Sequence, residues 1–189
     1  MKENNYFTHG IHPYHAKFIP DIPKEFMSKY GKEGDIVLDP FCGSGTTLLE
    51  CGLLGRKSYG VDLSEIAIKI SKAKSFLADI SVLDNNFDKI KKQFAECSDY
   101  LKTDFPNKDI WYTPETAETL DKLLFLISKI EDEDYRNIFE VLFSSILKTV
   151  SNKRDTWNNG YIADNVMPNK PYSSIVCRLT RRYWPLNLK

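Results

Sequence analysis

Between Asp35 and Ser64 the chain reads DIVLDPFCGSGTTLLECGLLGRKSYGVDLS, and this stretch restricts the possible folds more than any other. A short apolar run, Asp35 to Asp39, ends at an acid and is followed by two closely spaced glycines, Gly43 and Gly45. Thr46 to Leu54 then reads as a helix whose exit is marked by Arg56. Ser58 to Val61 reads as a second short strand closed by Asp62, and Ser64 is placed to cap a helix with Ile66, Ile70, Ala73 and Leu77 along one face. Strand, turn, helix, strand and helix in this order form a βαβα unit, which implies a parallel sheet with helical crossovers.

The glycine turn differs from two phosphate-binding loops of similar composition. A P-loop needs a lysine after its second glycine, and none stands in this loop. A dinucleotide fingerprint needs a third glycine where Leu48 stands. What remains is Gly43-Ser44-Gly45 between an acid at one strand end and a second acid, Asp62, 17 residues after Gly45. That pattern suits a nucleoside without a pyrophosphate.

S-adenosylmethionine fits these residues. Gly43 and Gly45 let the backbone pass close under a ligand, and Asp39 offers negative charge to its ammonium and sulfonium end. Asp62 is placed to accept hydrogen bonds from both ribose hydroxyls. Phe41 and Leu63 supply apolar contact to the methionine chain and the adenine, and Thr46 and Thr47 at the helix start reach the ligand carboxylate together with free backbone N–H groups.

Beyond this unit, Phe87, Ile90 and Phe94 lie on a charged helical segment that ends in a polar break through Asp104-Phe105-Pro106-Asn107. Thr113 can cap a helix with Pro114 in its first position and Leu120, Leu123, Leu124, Ile127 and Ile130 at helical spacing. A partner helix carries Ile138, Val141, Leu142 and Ile146 on one side and Phe139, Phe143 and Leu147 on another, which predicts burial on two sides. A third strand is expected at Ser174 to Cys177. The domain boundaries expected from these patterns are 1–82 for the βαβα core with an N-terminal pocket segment, 83–150 for a helical insertion and 151–189 for a basic, aromatic tail.

Charge supports separating the tail. The formal net charge is zero, but residues from Lys148 onward carry +6 and the preceding residues −6. Trp157, Tyr161, Tyr172, Tyr183 and Trp184 interleave with those cations, so the tail can track a phosphate backbone or stand as a solvated, partly packed terminal segment. Four cysteines without C-x-x-C spacing, and no apolar run near the roughly 18 residues of a membrane span, predict free thiols in a cytoplasmic protein. No apolar core of a signal peptide follows Met1. His9, His12 and His15 recur every third residue, but Pro13 breaks any helix that would converge them, so loop contacts or satisfied polar histidines are expected rather than a metal site.

The residues DPFCGSGTT followed by GVDLS, and preceded by HPYHAKFIPDIPKEF, resemble the S-adenosylmethionine-binding part of the DNA amino-methyltransferases, which modify the exocyclic nitrogen of cytosine or adenine. The resemblance is close over Tyr6 to Lys74. It continues through DIWYTPETAETLDKLL and NIFEVLFSSILKTVS, which are similar to a helical insertion in the cytosine-modifying members. It implies an α/β fold, a partial Rossmann-like methyltransferase fold with that insertion, and S-adenosyl-L-methionine as cofactor. By position it assigns Lys17 and Phe18 to the methionine and adenine ends of the cofactor, and it brings Cys42 into the cofactor loop beside Phe41 and Gly43.

The family also carries a catalytic tetrapeptide of the type Asp/Asn/Ser-Pro-Pro-Tyr/Phe/Trp, which holds the target amino group and stacks on a flipped base. None occurs in these 189 residues. The nearest approach, Asn169-Lys170-Pro171-Tyr172, has a charged side chain where the first proline belongs, so no catalytic residue is assigned. The expectation is therefore a cofactor-binding portion of a DNA methyltransferase, truncated or half of a split restriction-modification enzyme. Its partners would be DNA and a second polypeptide bearing the catalytic loop, and its half-sheet would be prone to self-association. The alternatives are a fragment of an RNA guanine amino-methyltransferase and a non-catalytic module that binds S-adenosylmethionine and DNA.

Overall fold

A computed structural model describes residues 6–15, 17–98 and 100–152. The expected strand at 174–177, the Asn169 to Tyr172 segment and the tail beyond Asn152 lie outside the described residues. Those described fall into two compact units that divide between Leu77 and Ala78.

The first unit is α/β. After a 3-10 turn, Phe7–Gly10, and helix α1, Asp21–Tyr30, strand β1 runs Ile36–Asp39. Helix α2, Thr46–Leu53, crosses over to strand β2, Lys57–Gly60, and helix α3 follows at Glu65–Ser75. The strands pair in parallel with Ile36 opposite Lys57 and Asp39 opposite Gly60, so both acid-bearing strand ends lie side by side. The second strand begins at Lys57, one residue earlier than the sequence suggests, and the N–H of Val61 continues the ladder to Asp39 O at 2.9 Å.

Alternation along the strands gives the sheet two different faces. Val37, Asp39, Ser58 and Gly60 are half-buried, whereas Ile36, Leu38, Lys57 and Tyr59 are exposed. The core of the unit instead lies among the helices, with Met27, Leu49, Cys51, Ala67, Ile70 and Ala73 buried. Arg56 ties α1 to the crossover by donating to Met27 O at 2.9 Å. Helix α3 starts as expected, the Ser64 side chain accepting from the Ala67 N–H. Its apolar face is shorter than expected: Phe76 turns to extended backbone, so Leu77 leaves the stripe and is exposed, as is Ile66 at the first turn.

The second unit is helical among its described residues. Helix α4, Ile80–Glu96, buries Leu83 and Ile90, while Phe87 and Phe94 are half-buried. Asp79 caps it, accepting from the Ser81 N–H at 2.8 Å. A short helix α5, Lys108–Trp111, precedes α6, Pro114–Ser128, which has Thr113 as its cap and proline in its first turn as expected. Helix α7, Glu133–Val150, is the last described helix of the unit. On α6 the buried stripe is Leu120, Leu123, Leu126 and Ile127, and Leu124 is only half-buried. On α7 the buried face is Ile138, Phe139, Val141, Leu142 and Ile146. Phe143 and Leu147 are half-buried, so burial is one broad face rather than two. Among the described residues no helix is long and apolar enough to cross a membrane.

Candidate functional site

The site begins where β1 stops. Asp39 Oδ1 accepts from the Phe41 N–H at 3.1 Å, which turns the chain out of the strand. The Cys42 N–H then donates to Val61 O at 2.9 Å, tying the loop to the end of β2. Gly43 and Gly45 have φ of +48° and +74°, in the left-handed region that other residues enter at a cost. At Gly45 space is limiting as well, because a Cβ there would stand 2.7 Å from Ser71 Cβ and 2.9 Å from Ser71 Cα. The loop can therefore lie directly on α3, and Gly45 caps α2 from this conformation.

Asp62 closes the arrangement from the second strand. Its Oδ1 accepts from the Ser64 N–H and its Oδ2 from the Gly43 N–H, both at 2.9 Å. The N–H groups of Ser64 and then Gly43 hold its carboxyl below the ordinary carboxylate value. Each carboxylate oxygen keeps further acceptor capacity beyond one hydrogen bond. Asp62 is thus a tie between two loops and a charged acceptor at the carboxyl end of a parallel strand, where open α/β sheets place their ligands.

The other residues expected at the site differ in how they are presented. Phe41, Leu63 and Phe18 are exposed apolar side chains, Phe41 at 88%. Lys17 is exposed and its Nζ donates to His9 O at 3.1 Å. Cys42 is buried beneath the loop, and burial raises its thiol pKa. Thr46 is 3% exposed and its Oγ1 is buried without a hydrogen-bond partner, at the first turn of α2 where backbone N–H groups are free for an anion. Thr47 is half-buried. A tight glycine loop, two strand-end carboxylates and the exposed apolar side chains beside them together fit a zwitterionic nucleoside ligand such as S-adenosylmethionine.

A second polar layer beneath the loop has no counterpart in the sequence expectations. Glu50 of α2 is buried, and its Oε1 receives the Tyr6 hydroxyl and faces His9 Nε2 at 2.7 Å. Burial lowers the His9 pKa and raises that of Tyr6. On α3, Lys74 is buried with its Nζ on Ser44 Oγ at 3.1 Å, and burial, followed by repulsion from Lys17, lowers its pKa to about 7. Thr8 Oγ1 donates to the Lys74 carbonyl. This layer binds the N-terminal segment to α2 and α3. Lys74 follows the buried Ile70 by one helical turn, and Glu50 follows the buried Thr46 likewise, so their faces are legible in the sequence although their burial is not.

The three histidines do not converge, since His9 is engaged with Glu50 and His15 is exposed. Among the described residues no group of three or more His, Cys, Asp or Glu could hold a metal ion. In the helical unit an open cleft of about 1060 Å³ is lined in part by Tyr100, Phe105 and Tyr112. Its buried carboxylate, Asp121, pairs with Lys108 at 2.8 Å and accepts from the Thr103 hydroxyl, a brace for the loop rather than a site for a cation.

Residues 1–73 match the family model described as DNA methylase. The type II methyltransferase M.MjaII of Methanocaldococcus jannaschii is 31% identical over 184 residues, covering 90% of this chain and 33% of the relative. M.MvaI of Kocuria varians, also a type II methyltransferase, is 29% identical over 86% of this chain and 38% of its own length. A tRNA (guanine(10)-N2)-dimethyltransferase of M. jannaschii is 66% identical, but over 32 residues, 17% of this chain and 9% of that protein. The chain thus spans about a third of the length of the type II methyltransferases it matches. No solved structure matches it. Through residues 1–73, which hold the glycine loop, both strand-end acids and the N-terminal segment, the chain belongs to the DNA amino-methyltransferase family.

Proposed function

We propose that this chain is the cofactor-binding portion of a DNA methyltransferase acting on the exocyclic amino group of cytosine or adenine. The observation that carries the reading is the Asp62 carboxylate on the Gly43 amide, which sets a glycine loop against the end of the neighbouring parallel strand. In this reading the unit is the start of a Rossmann-like methyltransferase sheet. Asp62 and Leu63 hold the ribose and adenine, Asp39 faces the ammonium, and Phe41, Gly43, Gly45, Thr46 and Thr47 line the methionine. Cys42 packs from below, and Lys17 and Phe18 close the pocket from the N-terminal segment. S-adenosylmethionine supplies the methyl group; these residues hold and orient it and contribute alignment rather than proton transfer.

The Pro-Pro-aromatic loop and the remaining strands would come from sequence beyond these 189 residues, on a continuation of the chain or on a second polypeptide. Two features support this. The matched type II methyltransferases are about three times as long as the region they share with the chain and the sheet leaves Ile36, Leu38, Tyr59 and Val61 exposed. An apolar sheet face of this kind is stable when covered, and uncovered it favours self-association. Of the substrate classes, DNA is favoured over RNA because similarity to the type II methyltransferases runs along most of the chain, whereas the 66% identity to the tRNA enzyme covers 32 residues.

The test is transfer of labelled methyl groups to DNA by the purified chain, alone and mixed with a polypeptide carrying the Pro-Pro-aromatic loop. Transfer only in the mixture is expected. Robust transfer by the chain alone, abolished by Tyr172→Ala, would make Asn169 to Tyr172 a working catalytic loop, and transfer to RNA but not DNA would favour the RNA guanine methyltransferases.

A further inference from the structure

Lys74 carries its amine where solvent cannot reach it. It is 2% exposed, and its Nζ donates to Ser44 Oγ at 3.1 Å. Among the described residues it has no ion pair and no other hydrogen-bond partner for its Nζ. A buried cation with one neutral partner destabilises the fold, because its desolvation is not offset by an opposite charge. The groups around it offer little compensation. Lys17 of the N-terminal segment repels it, and His9 of the 3-10 turn faces Glu50 of α2 with its Nε2.

The chemistry of the pair gives the cation a consequence. An ammonium has no acceptor, so Ser44 must accept from Lys74 and its own hydroxyl hydrogen points elsewhere. Ser44 lies between the two loop glycines, two residues before Thr46, whose buried Oγ1 has no hydrogen-bond partner among the described residues. This end of the loop therefore holds two buried hydroxyls, the first-turn N–H groups of α2 and, when Lys74 is protonated, a buried positive charge. Asp39 and Asp62 supply negative charge at the strand ends. A neutral amine, by contrast, could accept from Ser44 and let its hydroxyl turn inward.

We propose that Lys74 is a positioning residue that, through Ser44, makes the glycine loop selective for a ligand carrying a carboxylate, setting which end of the zwitterionic cofactor lies at α2. The proposal rests on the reading that this loop holds S-adenosylmethionine. A pKa near 7 agrees with a group whose charge a nearby carboxylate would stabilise, and so with binding that weakens as pH rises. His9, with its pKa lowered by burial, titrates below the window in which Lys74 changes charge.

Calorimetry with two ligands provides the test: S-adenosylhomocysteine, which has the amino-acid carboxylate, and 5′-methylthioadenosine, which lacks it. Lys74→Met is expected to weaken the first by about tenfold or more and the second by less than about twofold, with Ser44→Ala giving the same asymmetry. Wild-type affinity for S-adenosylhomocysteine should decline between about pH 6.5 and 8.5, a decline absent in Lys74→Met. Equal weakening of both ligands, or a pH profile unchanged by Lys74→Met, would overturn the proposal and leave the cofactor site standing. Wild-type protein that bound neither ligand would remove the cofactor reading along with it.

Discussion

The backbone amide of Gly43 donates to the carboxylate of Asp62 across 2.9 Å, joining residues 19 apart in sequence. The Ser64 amide occupies the other oxygen at the same distance, so one side chain fixes the glycine loop and the entry to α3. Replacing Asp62 with alanine should therefore speed hydrogen exchange at the Gly43 and Ser64 amides by more than about tenfold, with little change at amides within α2. Unchanged exchange at Gly43 would mean that the loop holds its shape without the carboxylate.

Gly45 combines φ of +74° with close packing against Ser71, so Gly45→Ala meets both a backbone and a steric penalty. A loss of about 1–3 kcal/mol in urea unfolding is expected. Ser71→Ala should not restore it, because the obstructing atoms are Ser71 Cβ and Cα, which alanine retains.

Lys74 makes stability depend on pH. Its folded pKa, about 7, lies below the 10.5 of an exposed lysine, so between those values the unfolded chain binds more protons. Stability should then rise with pH across this window, by up to about 1.4 kcal/mol per unit, and Lys74→Met should flatten the rise. Urea titrations from pH 7 to 9.5 measure it; equal slopes in both proteins would show that the ammonium is solvated.

In the helical unit, Leu123 is fully buried on α6. Leu123→Ala should cost about 2–5 kcal/mol, whereas Leu124→Ala, at a half-buried position, should cost less. Equal losses would contradict the observed stripe.

If the basic tail binds duplex DNA through Arg178, Arg181 and Arg182, replacing all three with alanine should weaken binding on every sequence alike. The slope of log affinity against log salt should fall by roughly 0.9 for each phosphate that is no longer neutralised. An unaltered slope would assign these residues to packing or to solvent.

What the sequence reveals is local. Strand, loop, helix and strand follow from Asp35 to Asp62 because alternation, glycines and caps act over a few residues, and Thr113-Pro114 announces α6 for the same reason. The failures lie where partners are distant. The Glu50 interactions span 41 and 44 residues and the hydrogen bond from the Lys74 side chain spans 30. A lysine in the last turn of a helix ordinarily faces water, so its identity gives no warning of burial. The spacing of Leu77 suits a helical stripe, but the chain leaves the helix at Phe76.

If the glycine loop and Asp62 form an S-adenosylmethionine site, calorimetric titration with S-adenosylmethionine should show saturable one-to-one binding by the wild-type chain and at least about tenfold weaker binding by Asp62→Ala. Equal affinity in the two proteins would contradict the role of Asp62, and no saturable binding by the wild type would contradict the site itself.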